Sequence, residues 1–336
     1  MNKRMLVVLI VVLALLTMAC SCSFTGFPSL IRGSISPSGE IIEEEREVWG
    51  NITEVEISGN GYLYFTQGEI AKLVLEGDSK YVDNIETIIS GNKLIIRPKN
   101  RLTFGWFRDS EDITYYLTLP ELEEFDSSGA LNVELGEVKA GDLQLSFSGS
   151  SDLFADLIGA DDLTISGSGS TDVILGDVEC ASTFLGKFSG SADFYADSIS
   201  AEEVKFDSSA SYDMNVGVIS ASELGIDASG SADMAIEELY AETFNMDTSG
   251  SSKLSIQEGE VEAQFIEMSG SGTYYAPELK SKTAELDGGG SSDFTLWVTE
   301  LLTIDSSGST KITYYGDPVV DQNTSGSTSI NQMEKE

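Results

Sequence analysis

Apolar residues between positions 121 and 330 follow a pattern with a period of about 20 residues, the length of one structural repeat. Counted from the central residue of a small Ser-Gly-Ser triplet, they recur at offsets −4, +4, +6 and +9. At offset +4 the series is Val133, Leu153, Val173, Phe194, Met214, Met234, Leu254, Tyr274, Phe294, Ile312 and Ile330. Because side chains alternate between the two faces of a strand, the spacing of two within each run predicts short strands. No apolar run has the length and the 3.6-residue spacing of a helix.

The triplet itself carries the period. Its central residues are Gly129, Gly149, Gly169, Gly190, Ala210, Gly230, Gly250, Gly270, Gly290, Gly308 and Gly326. The steps between successive centres are nearly constant, and only the last two are slightly shorter. Self-similarity at one period is typical of stacked repeats, in which each repeat needs its neighbours for stability. The pattern predicts an all-β protein, a single-stack parallel β-solenoid (β-helix) with coils of roughly 20 residues.

The parity of the offsets also predicts the direction of the triplet. The centre shares its parity with the apolar offsets −4, +4 and +6, so in an extended chain the glycine faces inward and the two serines face outward. Ala210 takes the central place in one repeat, which favours a need for a small side chain over a need for positive φ. We therefore expect the glycines at a narrow interior corner.

Residues 48–120 show strand patterns without the period. Runs such as Val55–Ile57, Tyr62–Phe65 and Tyr115–Leu119 read as strands, and Gly59-Asn60-Gly61 reads as a turn between two of them. These residues predict a β-rich N-terminal cap on the solenoid or, equally, its first irregular coils. The repeats then occupy residues 121–330, and residues 331–336 form a polar tail.

The N-terminus has the features of an export signal. Lys3 and Arg4 precede an apolar run that is short for a membrane span and that ends at Ala19-Cys20. This resembles a bacterial lipobox, so we expect residues 1–19 to be a signal peptide and Cys20 to be the lipidated N-terminus. Residues 20–47 then form a flexible tether, and the protein is exported and membrane-anchored, facing the cell surface or the periplasm. An ordinary secretory signal, or lipidation at Cys22, is the alternative.

The charge narrows the class of partner. The chain has 56 acidic residues, 19 Lys and Arg and no His, for a net charge of −37. Nucleic acid is excluded as a partner because its binding needs clustered cations. The partners that we expect are the membrane, through the lipid, and glycans or other surface polymers. The third cysteine, Cys180, lies within the repeats and is expected to be a small buried residue.

One segment combines cations with aromatic side chains. Lys93, Arg97 and Lys99 precede it, and its candidate partner-binding residues are Arg101, Phe104, Trp106, Phe107 and Arg108. Trp and Arg are enriched where binding energy concentrates, which makes this loop a candidate contact site for glycans or acidic polymers. The alternative, which we favour, is a hairpin tip that folds its aromatic side chains back onto the cap.

Aspartate recurs at offset +3, which raises the question of calcium. The candidate ligands are Asp152, Asp172, Asp193, Asp213 and Asp233. One carboxylate per coil falls short of the six to eight oxygens that calcium takes, so we expect no cofactor and keep calcium as an alternative. Catalysis by a β-helical carbohydrate-active enzyme would need a pair of carboxylates in a groove. No carboxylate stands out from the repeat, so we expect no enzyme.

The quoted motifs also resemble a known family. Val55-Glu56-Ile57-Ser58-Gly59, Gly91-Asn92-Lys93-Leu94-Ile95-Ile96, Leu119-Pro120-Glu121-Leu122 and the repeated Ser-Gly-Ser are similar to the putative auto-transporter adhesin family with a head GIN domain. The resemblance covers roughly residues 48–330 and implies a secreted or surface-anchored β-solenoid. It carries no catalytic motif. The expected function is that of an envelope-exposed, adhesin-like binding or structural protein, with the enzyme and the calcium-dependent repeat protein as alternatives.

Overall fold

The computed structural model describes residues 40–99, 113–209 and 211–335. They are nearly all β, in one 11-stranded sheet with a single short helix. The elements are β1 (Ile41–Arg46), β2 (Glu54–Gln67), β3 (Lys72–Asp78), α1 (Ser79–Val82), β4 (Ile85–Ser90), β5 (Lys93–Pro98), β6 (Ile113–Leu119), β7 (Glu124–Lys139), β8 (Asp142–Ser200), β9 (Glu203–Ser208), β10 (Ser211–Tyr315) and β11 (Val319–Met333).

The repeats pair in parallel, each with the repeat before it. Phe125 of β7 lies opposite Leu145 of β8, and Ser191 of β8 lies opposite Ser211 of β10. Both pairs join positions that are one repeat apart in sequence. In the last pair of strands, Gly308 lies opposite Gly326, which keeps the shorter step of the final repeats. Residues that pair in the sheet are therefore separated in the sequence by one period. Strands β8 and β10 are long because the chain stays extended through several successive repeats.

The predicted apolar columns form the core. The residues at offsets −4, +4, +6 and +9 are buried almost without exception, and they belong to one continuous hydrophobic cluster. A further buried column at offset −6 was not predicted. Its members are Leu143, Leu163, Phe184, Val204, Leu224, Phe244, Gln264, Ala284 and Leu302. Cys180 is buried as expected, and burial raises the pKa of its thiol to about 11.

The N-terminal strands combine both predicted arrangements. Strand β2 pairs in parallel with β7, and Gly59 lies opposite Gly129. Ser58-Gly59-Asn60 is therefore a first corner of the repeat, inside one strand, and the prediction that Gly59-Asn60-Gly61 separates two strands was wrong. Antiparallel pairs follow at this end of the sheet, between β1 and β3, between β3 and β6 and between β4 and β5.

The two predicted ends of the fold need correction. Ile41–Arg46, placed in the tether of residues 20–47, is strand β1 and pairs with β3. Residues 331–333, placed in the polar tail, belong to β11 and pair with β10 up to Met333. The sequence of β1 shows little alternation of apolar and polar residues, and β11 is largely polar, so neither pattern predicts a strand. Both segments are strands because their backbones pair with a neighbouring strand. No helix in the described ranges is long and apolar enough to cross a membrane.

The corner glycines do not face the interior, which corrects the prediction from parity. Gly149, Gly169 and Gly190 are exposed and have φ of 102°, 114° and 114°. L-residues rarely adopt such angles, because Cβ collides with the backbone. A Cβ on Gly149 would also overlap the carbonyl oxygen of Gly129, one repeat earlier. The corner therefore needs glycine both for its φ and for close stacking, while Ala210 lies outside the described residues.

Candidate functional site

The structure offers a long groove on one side of the corner. It has a volume of about 860 Å³ and is lined by positions −3, −2 and −1 of successive repeats. Its serines at offset −1 are Ser128, Ser148, Ser168, Ser189, Ser209, Ser229 and Ser249. Six steps between strands that are about 4.8 Å apart give this serine groove a length of about 29 Å. Such a length suits an extended polymer better than a compact small molecule.

Some hydroxyl groups of the groove already form hydrogen bonds within the protein. Ser148 donates to the carbonyl oxygen of Ser127 at 3.2 Å, and Ser128 donates to the hydroxyl of Ser58 at 2.9 Å. Each serine that donates inward keeps lone pairs that can accept a hydrogen bond from a ligand. The carboxylates of Asp207 and Asp227 also line the groove and add acceptor oxygens, although the ammonium of Lys205 contacts both, at 3.2 Å and 2.8 Å. The serine groove therefore favours a ligand that is rich in hydrogen-bond donors.

A charged cluster lies at the N-terminal end of the groove. The ammonium of Lys93 is 2.7 Å from Glu124, 3.3 Å from Glu54 and 3.7 Å from Asp126. The hydrogen bond from Lys93 lowers the pKa of Glu124, whereas burial and the neighbouring Glu124 raise the pKa of Asp126. Asp126 also lines the groove. This pair of carboxylates, whose pKa values shift in opposite directions, was not predicted from the sequence. Lys93, which lowers the pKa of Glu124, is 31 residues away from it in the chain.

The predicted loop site is not described. Arg101, Phe104, Trp106, Phe107 and Arg108 all lie outside the described residues, and so does Cys20. The preceding cations of that hypothesis are described, and acidic groups of the same chain engage two of them. Lys93 belongs to the charged cluster, and Arg97 contacts Glu86 at 2.6 Å. Their charge is thus largely matched within the fold.

The aspartates at offset +3 form a ladder on the other side of the corner. We call Asp152, Asp172, Asp193, Asp213 and Asp233 the aspartate ladder. Asp193 lies opposite Asp213 on neighbouring strands. Burial is the main cause that raises the pKa of Asp152, Asp172 and Asp193, and neighbouring ladder carboxylates add to it at Asp172 and Asp193. Within the described residues, no three His, Cys, Asp or Glu side chains converge in a way that could hold a metal ion.

The raised pKa values predict that Asp152, Asp172 and Asp193 cost stability at neutral pH. A carboxyl group whose pKa is higher in the folded state stabilises the fold below its unfolded pKa of about 3.9, and that contribution is lost as the pH rises through the folded pKa. Asp172→Asn should therefore raise the free energy of unfolding at pH 7 by about 0.5 kcal/mol, a small gain because solvent screens exposed charges. The gain should vanish near pH 3.

Thermal unfolding at the two pH values measures this effect, and Asp233→Asn is the matched control. Asp233 belongs to the same ladder but contacts Lys253 at 3.3 Å. Its replacement removes an ion pair and should bring no gain at pH 7. A gain of equal size from both substitutions would show that burial and repulsion of a ladder carboxylate without an ion-pair partner are not the cause.

Exposed apolar side chains form a second row beside the ladder. We call Tyr116, Tyr64, Phe154, Ile174 and Tyr195 the apolar row; each is between 38% and 43% exposed. Tyr64 lies opposite Tyr116 on one side and Glu134 on the other, and Glu134 lies opposite Phe154. From Phe154 to Tyr195 the row and the ladder stand at offsets +5 and +3, two residues apart on the same face.

The row has a defined geometry. The rings of Tyr64 and Tyr116 stack, with centroids 5.5 Å apart and planes at 15°. The hydroxyl of Tyr195 donates to Asp197 at 2.9 Å. A depression of about 310 Å³ lies between Tyr64 and Phe154, and Asn132, Glu134 and Asp152 contribute polar groups to it. The row was missed at the sequence level, although its offset of +5 has the parity of an outward face.

The fold and these surfaces define an all-β protein with extended polar faces, and the comparison with known families assigns its family. The chain belongs to the putative auto-transporter adhesin family with a head GIN domain, whose model matches residues 51–219 and 215–318. The resemblance stated from the motifs is thereby confirmed. No curated protein matches the chain.

The solved structures that resemble the chain are only distantly related to it in sequence. A putative lipid binding protein from Parabacteroides distasonis is 18% identical, with a TM-score of 0.33, and the alignment covers 88% of this chain and 98% of that one. A putative adhesin from the same species is 15% identical, with a TM-score of 0.36 and the same coverage. A putative adhesin from Parabacteroides merdae is 14% identical, with a TM-score of 0.36 and coverage of 88% and 97%.

Proposed function

We propose that the protein is an adhesin-like binding protein of the cell envelope, anchored through a lipid on Cys20 and without catalytic activity of its own. We also propose that its repeats form a single-stack parallel β-solenoid. The parallel register, offset by one repeat at each strand, and the stacked corner glycines support the solenoid. The observation that carries the function is the serine groove, which crosses seven repeats and presents hydrogen-bond acceptors along its whole length.

The architecture suits such a role because every added repeat extends the same surface. A ligand that repeats chemically, such as a surface polymer, can meet equivalent groups along the groove. Weak contacts at each repeat then add to a useful affinity without a single dominant residue. The net charge of −37 keeps the surface soluble and disfavours acidic polymers as partners.

A screen of immobilised glycans and envelope polymers tests the binding function. The wild-type protein should bind at least one polymer, and Ser168→Trp should weaken that binding about tenfold, since a large side chain on the groove lining blocks the path. Ser170→Trp is the matched control, because Ser170 is equally exposed at the same corner but does not line the groove. Equal binding by all three proteins would contradict the groove as the site.

Anchoring has its own test. Cys20→Ala should move the protein from the membrane fraction to the medium or the periplasm, because the lipid would be its only attachment. Immunoblots of the fractions measure the distribution, and Cys22→Ala serves as the control that should leave it unchanged. Release by Cys22→Ala alone, or retention of Cys20→Ala in the membrane, would contradict the assignment of Cys20.

The charged cluster favours one alternative function, a carbohydrate-active enzyme. A carboxyl group with a raised pKa beside one with a lowered pKa is the arrangement that a general acid and its partner need. Both belong to the same strand, however, and Lys93 contacts both, which equally describes an ion-pair cluster that closes the first repeat. Release of reducing or unsaturated ends from a polysaccharide panel, abolished by Asp126→Asn, would establish the enzyme; we expect none.

A further inference from the structure

We propose that the apolar row and the aspartate ladder form a second binding site, which takes a linear polysaccharide with free amino groups. The site shares no residue with the serine groove. It lies on the opposite side of the corner, so it goes beyond the function proposed above and stands or fails independently of it.

The apolar row supplies the surface for the sugar rings. Large apolar side chains that are exposed singly are common on protein surfaces, but a contiguous row of five is not. Such a row marks a site of interaction. The C–H faces of sugars pack on the flat faces of aromatic rings, and a protonated amine is attracted to the same faces by the cation–π interaction. Glu134, between Tyr64 and Phe154, adds a carboxylate inside the row.

The ladder decides the charge of the ligand. From Asn132 to Asn215, no Lys or Arg stands at offset +3 or +5, so every charged side chain at these two offsets is a carboxylate. Burial and repulsion between neighbouring carboxylates already disfavour the ionised forms of Asp172 and Asp193, as the raised pKa values of these two residues indicate. A ligand with ammonium groups relieves this repulsion, whereas a sulfated or uronic polymer would increase it. Charge complementarity therefore favours an amino sugar over a neutral or acidic one.

The spacing of the row fits a chain that lies along the stack of repeats. Tyr64, Phe154 and Tyr195 are each two strands apart, so a ring recurs about every 9.6 Å, and a carboxylate of the ladder recurs about every 4.8 Å. These steps are comparable with the lengths of a disaccharide and of one sugar unit in an extended β-linked chain. Between Phe154 and Tyr195, where the row and the ladder run side by side, an extended polymer of glucosamine thus meets one ladder carboxylate at each sugar and one aromatic ring at every second sugar.

Calorimetric titration with a hexamer of β-1,4-linked glucosamine tests the proposal. The full chain is used in detergent at mildly acid pH, where the sugar amines are protonated and most carboxylates are ionised. The wild-type protein should bind the hexamer. Phe154→Ala with Tyr195→Ala should weaken binding about tenfold or more, since two stacking faces are lost. Replacement of Asp152, Asp172 and Asp193 by Asn should weaken it similarly and reduce its dependence on salt.

Three comparisons keep the outcome interpretable. Tyr240→Ala with Phe265→Ala removes two aromatic side chains that are equally exposed, at 46% and 43%, but lie outside the row, and it should leave binding unchanged. Hexalysine and the fully N-acetylated hexamer should both bind much more weakly than the glucosamine hexamer. Absence of binding, an unchanged affinity in the Phe154/Tyr195 variant, or equal affinity for either comparison ligand would overturn the proposal.

Discussion

Gly250→Ala should destabilise the protein by about 3 kcal/mol or more, a large loss for a single methyl group. Gly250 has φ of 116°, which an alanine adopts only with strain. Its new Cβ would also overlap the carbonyl oxygen of Gly230 in the preceding repeat. Neither problem can be relieved by rotation of a side chain, because both partners are backbone. Thermal and denaturant unfolding measure the loss.

Gly225→Ala is the matched control for this prediction. Gly225 lies in the same stack of repeats but outside the positive-φ range, and a Cβ there would meet only the Lys205 side chain at an ordinary 3.7 Å. Its replacement should change the free energy of unfolding by less than about 1 kcal/mol. Similar losses from Gly225→Ala and Gly250→Ala would show that the corner has no special need for glycine.

Tyr274→Phe should cost about 2 kcal/mol, although it removes only one oxygen atom. The hydroxyl of Tyr274 donates to Gln264 Oε1 at 2.6 Å, and Gln264 Nε2 donates to Ser281 at 2.8 Å. All three side chains are almost completely buried. Without the tyrosine hydroxyl, the amide oxygen of Gln264 has lost its partner in a region that water does not reach.

A double-mutant cycle separates this cause from a packing defect. Gln264→Leu alone should also cost about 2 kcal/mol, since it leaves the Tyr274 hydroxyl unpaired. The double variant should recover most of the loss, because Leu restores the apolar column at offset −6 and no polar group is left over. Ser281 keeps its hydrogen bond to the carbonyl oxygen of Trp297. Additive losses in the double variant would contradict the hydrogen-bond explanation.

The period and the apolar columns made the core predictable from the sequence. Residues such as Val133, Leu153 and Val173 recur at one offset, and burial of that column requires nothing more than equivalent repeats. The corner glycines were predicted wrongly because parity assumes a straight strand. The even offsets on both sides of the corner are buried, as at Leu145 and Leu153, but a residue with positive φ such as Gly149 departs from the regular strand and is itself exposed.

The binding surfaces were harder to predict, since they depend on which residues the stacking brings together. The cluster of Lys93, Glu124 and Asp126 joins segments that no period relates. In the apolar row, Phe154, Ile174 and Tyr195 do share an offset, but Tyr64 and Tyr116 join it only through the pairing of β2 with β6 and β7. Ser58-Gly59-Asn60 was missed as a corner for the same reason, because its partner triplet, Ser128-Gly129-Ala130, lies several periods further along the chain.

Disulfide trapping tests the stacked register, on which both proposed surfaces depend. Ser191 and Ser211 are exposed and directly opposite, and strands about 4.8 Å apart place their Cα atoms within the range that a disulfide spans. Ser191→Cys with Ser211→Cys should form a cross-link under mild oxidation, identified by peptide mass spectrometry. Ser191→Cys with Asn215→Cys, about 13 Å out of register along the strand, should not. Cross-linking of the second pair but not the first would contradict the account.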